Sequence, residues 1–99
     1  MNKQKVLGLL GLAMKAKKLV TGEEFVLEKI RDKTAKLVFL ASDVGPNTKK
    51  RIHDKASFYE IEIIDDFTSE ELSQAIGKIN RKTIALLDSG FARSINALK

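Results

Sequence analysis

The most constraining feature of this sequence is an uninterrupted apolar segment in the middle of the chain, Leu37-Val-Phe-Leu-Ala41. A strand with one face in water alternates apolar and polar residues, so a segment without alternation predicts a strand that is covered on both faces. Such a strand belongs at the centre of a sheet between helical layers. A chain of 99 residues can enclose one modest core, and we therefore expect a single compact domain over residues 1–99.

Helical and strand patterns alternate along the rest of the chain. Apolar spacing and turn residues predict helices at about 4–16, after 22, at 46–58, after 68 and after 88, and short strands at 19–20, 37–41, 61–64 and 83–87. The order αβαβαβαβα indicates an α/β fold. We expect a three-layer α/β/α sandwich with a small mixed four-stranded sheet.

Three local patterns make sharper predictions. Thr21–Glu24 and Thr68–Glu71 each have the sequence of a capping box, in which a threonine hydroxyl and a glutamate carboxylate satisfy amides at a helix start. Phe25 follows the first box and is expected to point into the core. Gly8 and Gly11 weaken the first helix, which indicates that another element packs closely against it there.

Composition excludes several classes of protein. The chain has no cysteine, so it has neither a disulfide framework nor the thiolates that most zinc sites use. The apolar stretch from Val6 to Met14 is too short to span a bilayer, and no export signal follows it. We therefore expect a cytoplasmic protein without membrane association, metal or cofactor.

The candidate catalytic residues have simpler interpretations. The carboxylate pairs Glu23-Glu24 and Asp65-Asp66 precede or open helices, where acidic side chains interact favourably with the helix dipole. His53 is the only histidine and is expected to be a solvated surface residue among basic neighbours. The glycines match neither the phosphate loop nor the dinucleotide-binding pattern. We expect that the protein is not an enzyme.

Positive charge is concentrated towards the two ends of the chain. The formal net charge is +5, and residues 1–22 hold five lysines and no acidic residue. Residues 23–71 hold eight basic and twelve acidic side chains, whereas residues 72–99 hold five basic side chains and one acidic one. If the fold brings the ends together, a basic face should lie opposite an acidic one, which favours an acidic partner such as nucleic acid.

Two basic segments are the candidate binding site. If the strands at 19–20 and 83–87 are antiparallel neighbours, the turn after Val20 and the loop from Gly77 to Lys82 meet at one end of the sheet. Within that loop, the asparagine can hydrogen-bond base edges and the isoleucine offers an apolar contact, which suits a distorted or unpaired RNA element. The predicted patch comprises Lys15, Lys17, Lys18, Lys78, Ile79, Asn80, Arg81 and Lys82.

Several segments resemble a known family of RNA-binding proteins. Lys18-Leu-Val-Thr-Gly22 and Ala35–Asp43 are similar to the signature of the large-subunit ribosomal proteins seven-Ae and thirty-e, as are Glu71–Gly77 and Thr83–Asp88. The likeness extends from Val6 to Phe91. It is greatest to the bacterial YlxQ-like branch, whose Lys-Val/Leu-Val-x-Gly-Glu and Asp-x-Gly-Phe-Ala patterns resemble residues 18–23 and 88–92.

This resemblance implies an α/β/α sandwich that binds kink-turn RNA through the turn opening the second helix and the loop before the last strand. In archaeal members the turn reads Gly-x-Asn-Glu-x-x-Lys, and its polar residues address sheared G·A pairs and the backbone. Gly22 matches, but Glu24, Phe25 and Glu28 stand where the family has Asn, Glu and Lys. The resemblance therefore assigns RNA binding to Lys18, Gly22 and Glu24.

Two functions remain open from the sequence. The leading hypothesis is a monomeric, non-catalytic ribosomal-type protein that binds kink-turn-like RNA within ribosomal or other non-coding RNA. Association with the ribosome is consistent with this hypothesis. The alternative is a protein-interaction adaptor that uses the acidic middle of the chain. The first predicts salt-dependent affinity for kinked RNA, and the second predicts a protein partner that is retained after ribonuclease treatment.

Overall fold

A computed structural model describes all 99 residues, and its nine elements follow the predicted order. The five helices and four strands are α1 (Lys3–Lys15), β1 (Leu19–Thr21), α2 (Glu23–Arg31), β2 (Leu37–Leu40), α3 (Pro46–Phe58), β3 (Ile63–Ile64), α4 (Ser69–Ile76), β4 (Thr83–Leu86) and α5 (Ser89–Asn96). The α3 bounds agree with the prediction, while the strands at 61–64 and 83–87 are shorter than predicted. No helix is both long enough and apolar enough to cross a membrane.

The sheet is mixed and has the strand order β1-β4-β2-β3. β4 pairs antiparallel with both β1 and β2, and β2 pairs parallel with β3. The apolar strand β2 therefore lies inside the sheet, as its sequence predicted, and all four of its residues are buried. Antiparallel pairing of β1 with β4, on which the predicted meeting of the two loops depended, is also confirmed.

Alternate residues of β2 build the two halves of the core. Leu37 and Phe39 pack in a cluster with apolar residues of α1, α4 and α5, whereas Val38 and Leu40 pack with residues of α2 and α3. Since successive side chains of a strand point to opposite faces, three helices cover one face of the sheet and two cover the other. The predicted three-layer α/β/α sandwich is confirmed.

Four of the helices end in the same way, although only one of them has a glycine at the turn. Gly77 follows α4 with φ of 70°, and Lys17, Lys33 and Glu60 take left-handed φ values of 57–66° after α1, α2 and α3. After α1, for example, the Lys18 N–H donates to the Ala13 carbonyl at 2.8 Å. These bonds satisfy carbonyls at the helix end and turn the chain sharply towards the next element.

The first predicted capping box is wrong, and the second is confirmed. Thr68 and Glu71 exchange both capping hydrogen bonds at the start of α4. At α2 the N-cap residue is Gly22, with φ of 105° and no side-chain cap. Thr21 belongs to β1 instead, and its hydroxyl donates to the Thr83 carbonyl of β4 at 2.8 Å. The hydroxyl that the capping box required is therefore bonded to the neighbouring strand.

Two predictions about packing are also corrected. Phe25 is not in the core, because 63% of its surface is exposed; Val26, Leu27 and Ile30 form the buried face of α2. A Cβ at Gly11 would lie 2.9 Å from the Ala75 carbonyl oxygen, which confirms a close approach between α1 and α4. No atom would lie within 4 Å of a Cβ at Gly8, so the same inference is wrong there.

Candidate nucleic-acid interface

Two loops meet at one end of the sheet, as the strand pairing requires. We name residues 21–25, which open α2, the first loop, and residues 77–82, which precede β4, the second loop. The Gly22 N–H and the Thr21 hydroxyl both donate to the Thr83 carbonyl, at 3.3 and 2.8 Å. The predicted juxtaposition of these loops is therefore present in the structure.

The second loop is held in place by uncharged groups. The buried Ser73 hydroxyl of α4 accepts from the Arg81 N–H at 2.8 Å and donates to the Arg81 carbonyl at 3.3 Å. On the other side of the loop, the Lys82 carbonyl accepts from the Ala41 N–H at 2.8 Å. Asn80 has a left-handed φ of 54°, a conformation that asparagine tolerates better than most residues. The loop is thus fixed without using its charged side chains.

The cations of the second loop form no ion pair, although Lys82 is near enough to Asp43 to help lower the pKa of that carboxyl. The ion pairs of the protein join Lys29, Lys50, Arg51 and Lys99 to acidic side chains, and none includes Lys78, Arg81 or Lys82. Lys78 and Lys82 are exposed and Arg81 is half-buried. Their positive charges therefore remain available to an external anion.

The tip of the second loop forms a ridge between two polar clefts. One cleft, of about 300 Å³, lies against α4 and is lined by Ser69, Glu70, Ser73, Gln74, Lys78, Ile79 and Asn80. The other, of about 360 Å³, lies against the first loop and α3 and is lined by Gly22, Glu23, Val44, Gly45, Thr48, Asn80, Arg81, Lys82 and Thr83. Asn80 borders both clefts, and the Ile79 side chain beside it is 80% exposed. A ridge with an amide and an apolar tip can enter a groove or an opened step in a nucleic acid.

The acidic residues of the first loop are bound to α3. The Arg51 guanidinium forms ion pairs with Glu23 and, at 3.0 Å, with Glu24. The Thr48 hydroxyl also donates to the Glu23 carboxylate at 2.6 Å. Glu24 therefore contacts Arg51 and does not cap α2, and the predicted assignment of Glu23 and Glu24 to the first turn of that helix is confirmed.

The three lysines before β1 do not all join the second loop. Lys18 lies at the start of β1, where its carbonyl accepts from the Leu87 N–H at the far end of β4. Lys17 precedes it in the turn that ends α1. Lys15 lines a groove between α1 and α4 together with Gly77, so it lies beside the start of the second loop. Because the strands are antiparallel, Lys17 and Lys18 lie at the opposite end of the sheet from the point where the two loops meet. The expected single patch therefore does not include them.

A carboxylate outside the two loops positions the helix that holds the second loop. Asp43, in the turn after β2, accepts from the Ser69 N–H at 2.9 Å and from the Ser69 hydroxyl at 2.8 Å. These hydrogen bonds, first that of the backbone N–H and then that of the hydroxyl, hold the pKa of Asp43 below its ordinary value. Asp43 thereby fixes the start of α4, the helix that carries Ser73.

The titratable groups assemble no cluster that could hold a metal ion. No group of three or more His, Asp or Glu side chains is placed to hold a metal ion. His53 is half-buried, and its Nε2 atom is buried without a hydrogen-bond partner, so the expectation of a solvated histidine is wrong. Ile52 and Ala56 form the buried face of α3, and His53, next to Ile52, lies at the edge of that face and is partly covered as well.

Sequence reasoning missed three residues that shape the site: Arg51, Ser73 and the exposed Phe25. For Phe25 a signal was available. On a helical wheel Phe25 lies about 150° from the centre of the face formed by Val26, Leu27 and Ile30, which places it towards solvent. Arg51 contacts residues 27 and 28 positions away, and Ser73 contacts Arg81 across the second loop; no motif in the sequence marks either residue.

Comparisons with known proteins agree on one family. A sequence profile of the Ribosomal protein L7Ae/L30e/S12e/Gadd45 family matches residues 4–95. A protein named RNA-binding protein YlxQ from Enterococcus faecium is 46% identical over 97 residues, covering 98% of this chain and 93% of that relative. Its namesake from Bacillus subtilis (strain 168) is 40% identical over 90 residues, covering 91% and 90%. A solved structure of a protein with unknown function from Bacillus halodurans C is 42% identical, with a TM-score of 0.91 over 95% of both chains.

Proposed function

Because the chain belongs to the Ribosomal protein L7Ae/L30e/S12e/Gadd45 family, we propose that it is a non-catalytic protein that binds structured RNA with the second loop. Two relatives that align over at least nine-tenths of this chain carry the name RNA-binding protein. The proposal treats residues 1–99 as one RNA-binding domain that acts in the cytoplasm as a monomer.

The observation that carries the proposal is the set of unpaired cations on the ridge. Lys78, Arg81 and Lys82 can each neutralise a phosphate without breaking an ion pair within the protein. Phosphate neutralisation supplies much of the affinity of proteins for nucleic acids and makes that affinity depend on salt. Asn80 and Ile79, at the tip of the loop, add hydrogen-bonding and apolar contacts to exposed bases.

We further propose that the preferred RNA is sharply bent, as in a kink-turn, within a ribosomal or another non-coding RNA. The second loop projects between two clefts, and RNA helices offer proteins few readable base edges unless they are distorted. Recognition must differ in part from that of the archaeal relatives, since Glu24, Phe25 and Glu28 replace the Asn-Glu-x-x-Lys set. The second loop therefore supplies most of the affinity in this proposal.

Titration with two RNAs tests the proposal. A duplex that contains a kink-turn and an unkinked duplex of the same length are each titrated at several salt concentrations. We expect tighter binding of the kinked RNA and an affinity for both that falls as salt rises. Equal affinity for the two duplexes would contradict the kink-turn preference and leave RNA binding, whereas no binding to either would contradict the RNA-binding function itself.

A further inference from the structure

Phe25 is an aromatic side chain in an unusual place. It lies in the first turn of α2, and 63% of its surface is exposed although the buried face of that helix is complete without it. Its ring adjoins Gly22, since a Cβ on that glycine would lie 3.6 Å from Phe25 Cδ2. Gly22 in turn lines the cleft shared with Asn80, Arg81 and Lys82. The ring therefore stands at the border of the candidate site with no packing role that accounts for it.

The charges around Phe25 decide which part of an RNA can approach it. Glu24 precedes it and Glu28 follows one turn later, and both are exposed. Glu24 is paired with Arg51, but Glu28 has no cationic partner. A phosphate group would be repelled by the negative charge along this side of α2, whereas an uncharged nucleobase would not be repelled.

The opposite border of the cleft has the reverse character. Arg81 and Lys82 present unpaired positive charge there. A nucleotide placed across the cleft can thus set its phosphate against the second loop and its base against α2. Flat aromatic side chains are the usual platforms for unstacked bases, because stacking requires only the face of the base.

We propose that Phe25 is a stacking platform for an unpaired nucleobase, and that the RNA bound by this protein presents an extruded base beside the phosphates contacted by the second loop. This inference rests on the proposed function and adds to it a class of ligand, an RNA with an unstacked nucleotide. It also gives a physical role to a position where the archaeal pattern has glutamate: stacking replaces hydrogen bonding at this point of the site.

The test compares variants of Phe25 on paired RNAs. Phe25→Ala, Phe25→Leu and Phe25→Tyr are titrated with kink-turn RNA and with the same RNA whose unpaired nucleotides are abasic. Stacking on a base contributes roughly 1–3 kcal/mol in alanine substitutions, so Phe25→Ala and Phe25→Leu should lose about 5- to 150-fold in affinity for the intact RNA. Neither should lose affinity for the abasic RNA, and Phe25→Tyr should bind both RNAs like the wild type.

A spectroscopic variant and a matched control complete the test. The chain has no tryptophan, so Phe25→Trp introduces a single reporter whose fluorescence should fall with the intact RNA and not with the abasic RNA. Phe58→Ala is the control, because Phe58 is also exposed, at 76%, and lies at the end of α3 away from both loops. It should leave affinity unchanged.

Each outcome bears on a different claim. If the wild type binds with salt-dependent affinity while Phe25→Ala and Phe25→Leu bind the intact RNA equally well, the stacking role is overturned and the proposed function stands. If Phe25→Leu alone retains affinity, the contact is apolar and not stacking, which also overturns the inference. If the wild type binds neither RNA, the proposed function fails and the inference fails with it.

Discussion

The two loops that meet at Thr83 use charge in opposite ways. In the first loop, Glu23 and Glu24 are both paired with Arg51 of α3, so each carboxylate has a partner within the protein although one negative charge remains in excess. In the second loop, the backbone is held by Ser73 and Ala41, and the cationic side chains stay unpaired. Side chains that form part of the fold are unavailable to a ligand. A charged side chain that lies beside a cleft can therefore bind an external anion readily only when it is not already paired within the protein.

Charge reversal in the second loop should have the largest effect on binding. Arg81→Glu with Lys82→Glu removes two phosphate contacts and adds repulsion, so affinity for kink-turn RNA should fall by roughly 100-fold or more, with a shallower salt dependence. Titration at several salt concentrations measures both. The control is Lys33→Glu with Lys36→Glu, which makes the same change of net charge in the segment before β2, beside the end of β4, and should cost at most a few-fold. Equal losses in the two variants would assign binding to total charge and not to the loop.

Loss of the Ser73 hydroxyl should loosen the second loop without changing its charge. In Ser73→Ala the Arg81 N–H loses its acceptor, which should lower the free energy of unfolding by about 1–3 kcal/mol and weaken RNA binding several-fold. Chemical denaturation and RNA titration check the two effects. Thr21→Val is the control. In this variant the Thr83 carbonyl would still accept from the Gly22 N–H, so the free energy of unfolding should fall by less than in Ser73→Ala. An equal or larger loss in Thr21→Val would mean that Ser73 is not the main anchor.

Breaking the ion pairs of Glu23 and Glu24 should leave two unpaired carboxylates in the first loop, which repel the phosphates of the RNA. Arg51→Gln removes the partner of Glu23 and Glu24, so affinity for RNA should fall by roughly 3- to 10-fold, while stability changes by less than about 1 kcal/mol. Adding Glu24→Gln to this variant should restore part of the affinity. Unchanged binding in Arg51→Gln would show that RNA does not approach the first loop.

A cation on the outer face of α2 should strengthen binding slightly. Glu28→Lys removes an unpaired negative charge and places a positive one where the archaeal pattern has lysine, so affinity should rise by roughly threefold. Glu60→Lys makes the same change of charge at the end of α3 and should have a smaller effect. A larger gain at Glu60 would indicate that the RNA passes over α3.

Protonation of Asp43 should destabilise the support of the second loop in acid. Because its pKa is lower in the folded protein, the hydrogen bonds from Ser69 contribute stability above the unfolded pKa of about 3.9, and this contribution is lost as pH falls through the folded pKa. Asp43→Asn should therefore show a weaker loss of stability below pH ~4 than the wild type. Parallel acid profiles for the two proteins would exclude Asp43 as a contributor.

Local patterns determined the secondary structure and the architecture. The unbroken apolar strand at residues 37–41 predicted a sheet covered on both faces, and the capping box at Thr68 and the glycine at position 77 predicted both ends of α4. These predictions succeed because helix periodicity, capping and turn conformation depend on residues close together in the chain. The predicted meeting of the turn after β1 with the loop before β4 required, in addition, the assumption that these two strands pair antiparallel, which the structure confirms.

Long-range contacts determined which residues of that site are free. The Thr21 hydroxyl does not cap α2 because it donates to the Thr83 carbonyl of β4. The Glu24 carboxylate accepts from Arg51, which is 27 residues away in the sequence. Lys17 and Lys18 precede β1, so the antiparallel pairing of β1 with β4 places them at the opposite end of the sheet from the two loops. The sequence by itself determined the fold and the location of a basic loop; only the tertiary structure decided which charges are paired, because ion pairs and hydrogen bonds form between side chains that are close in space irrespective of their separation in the chain.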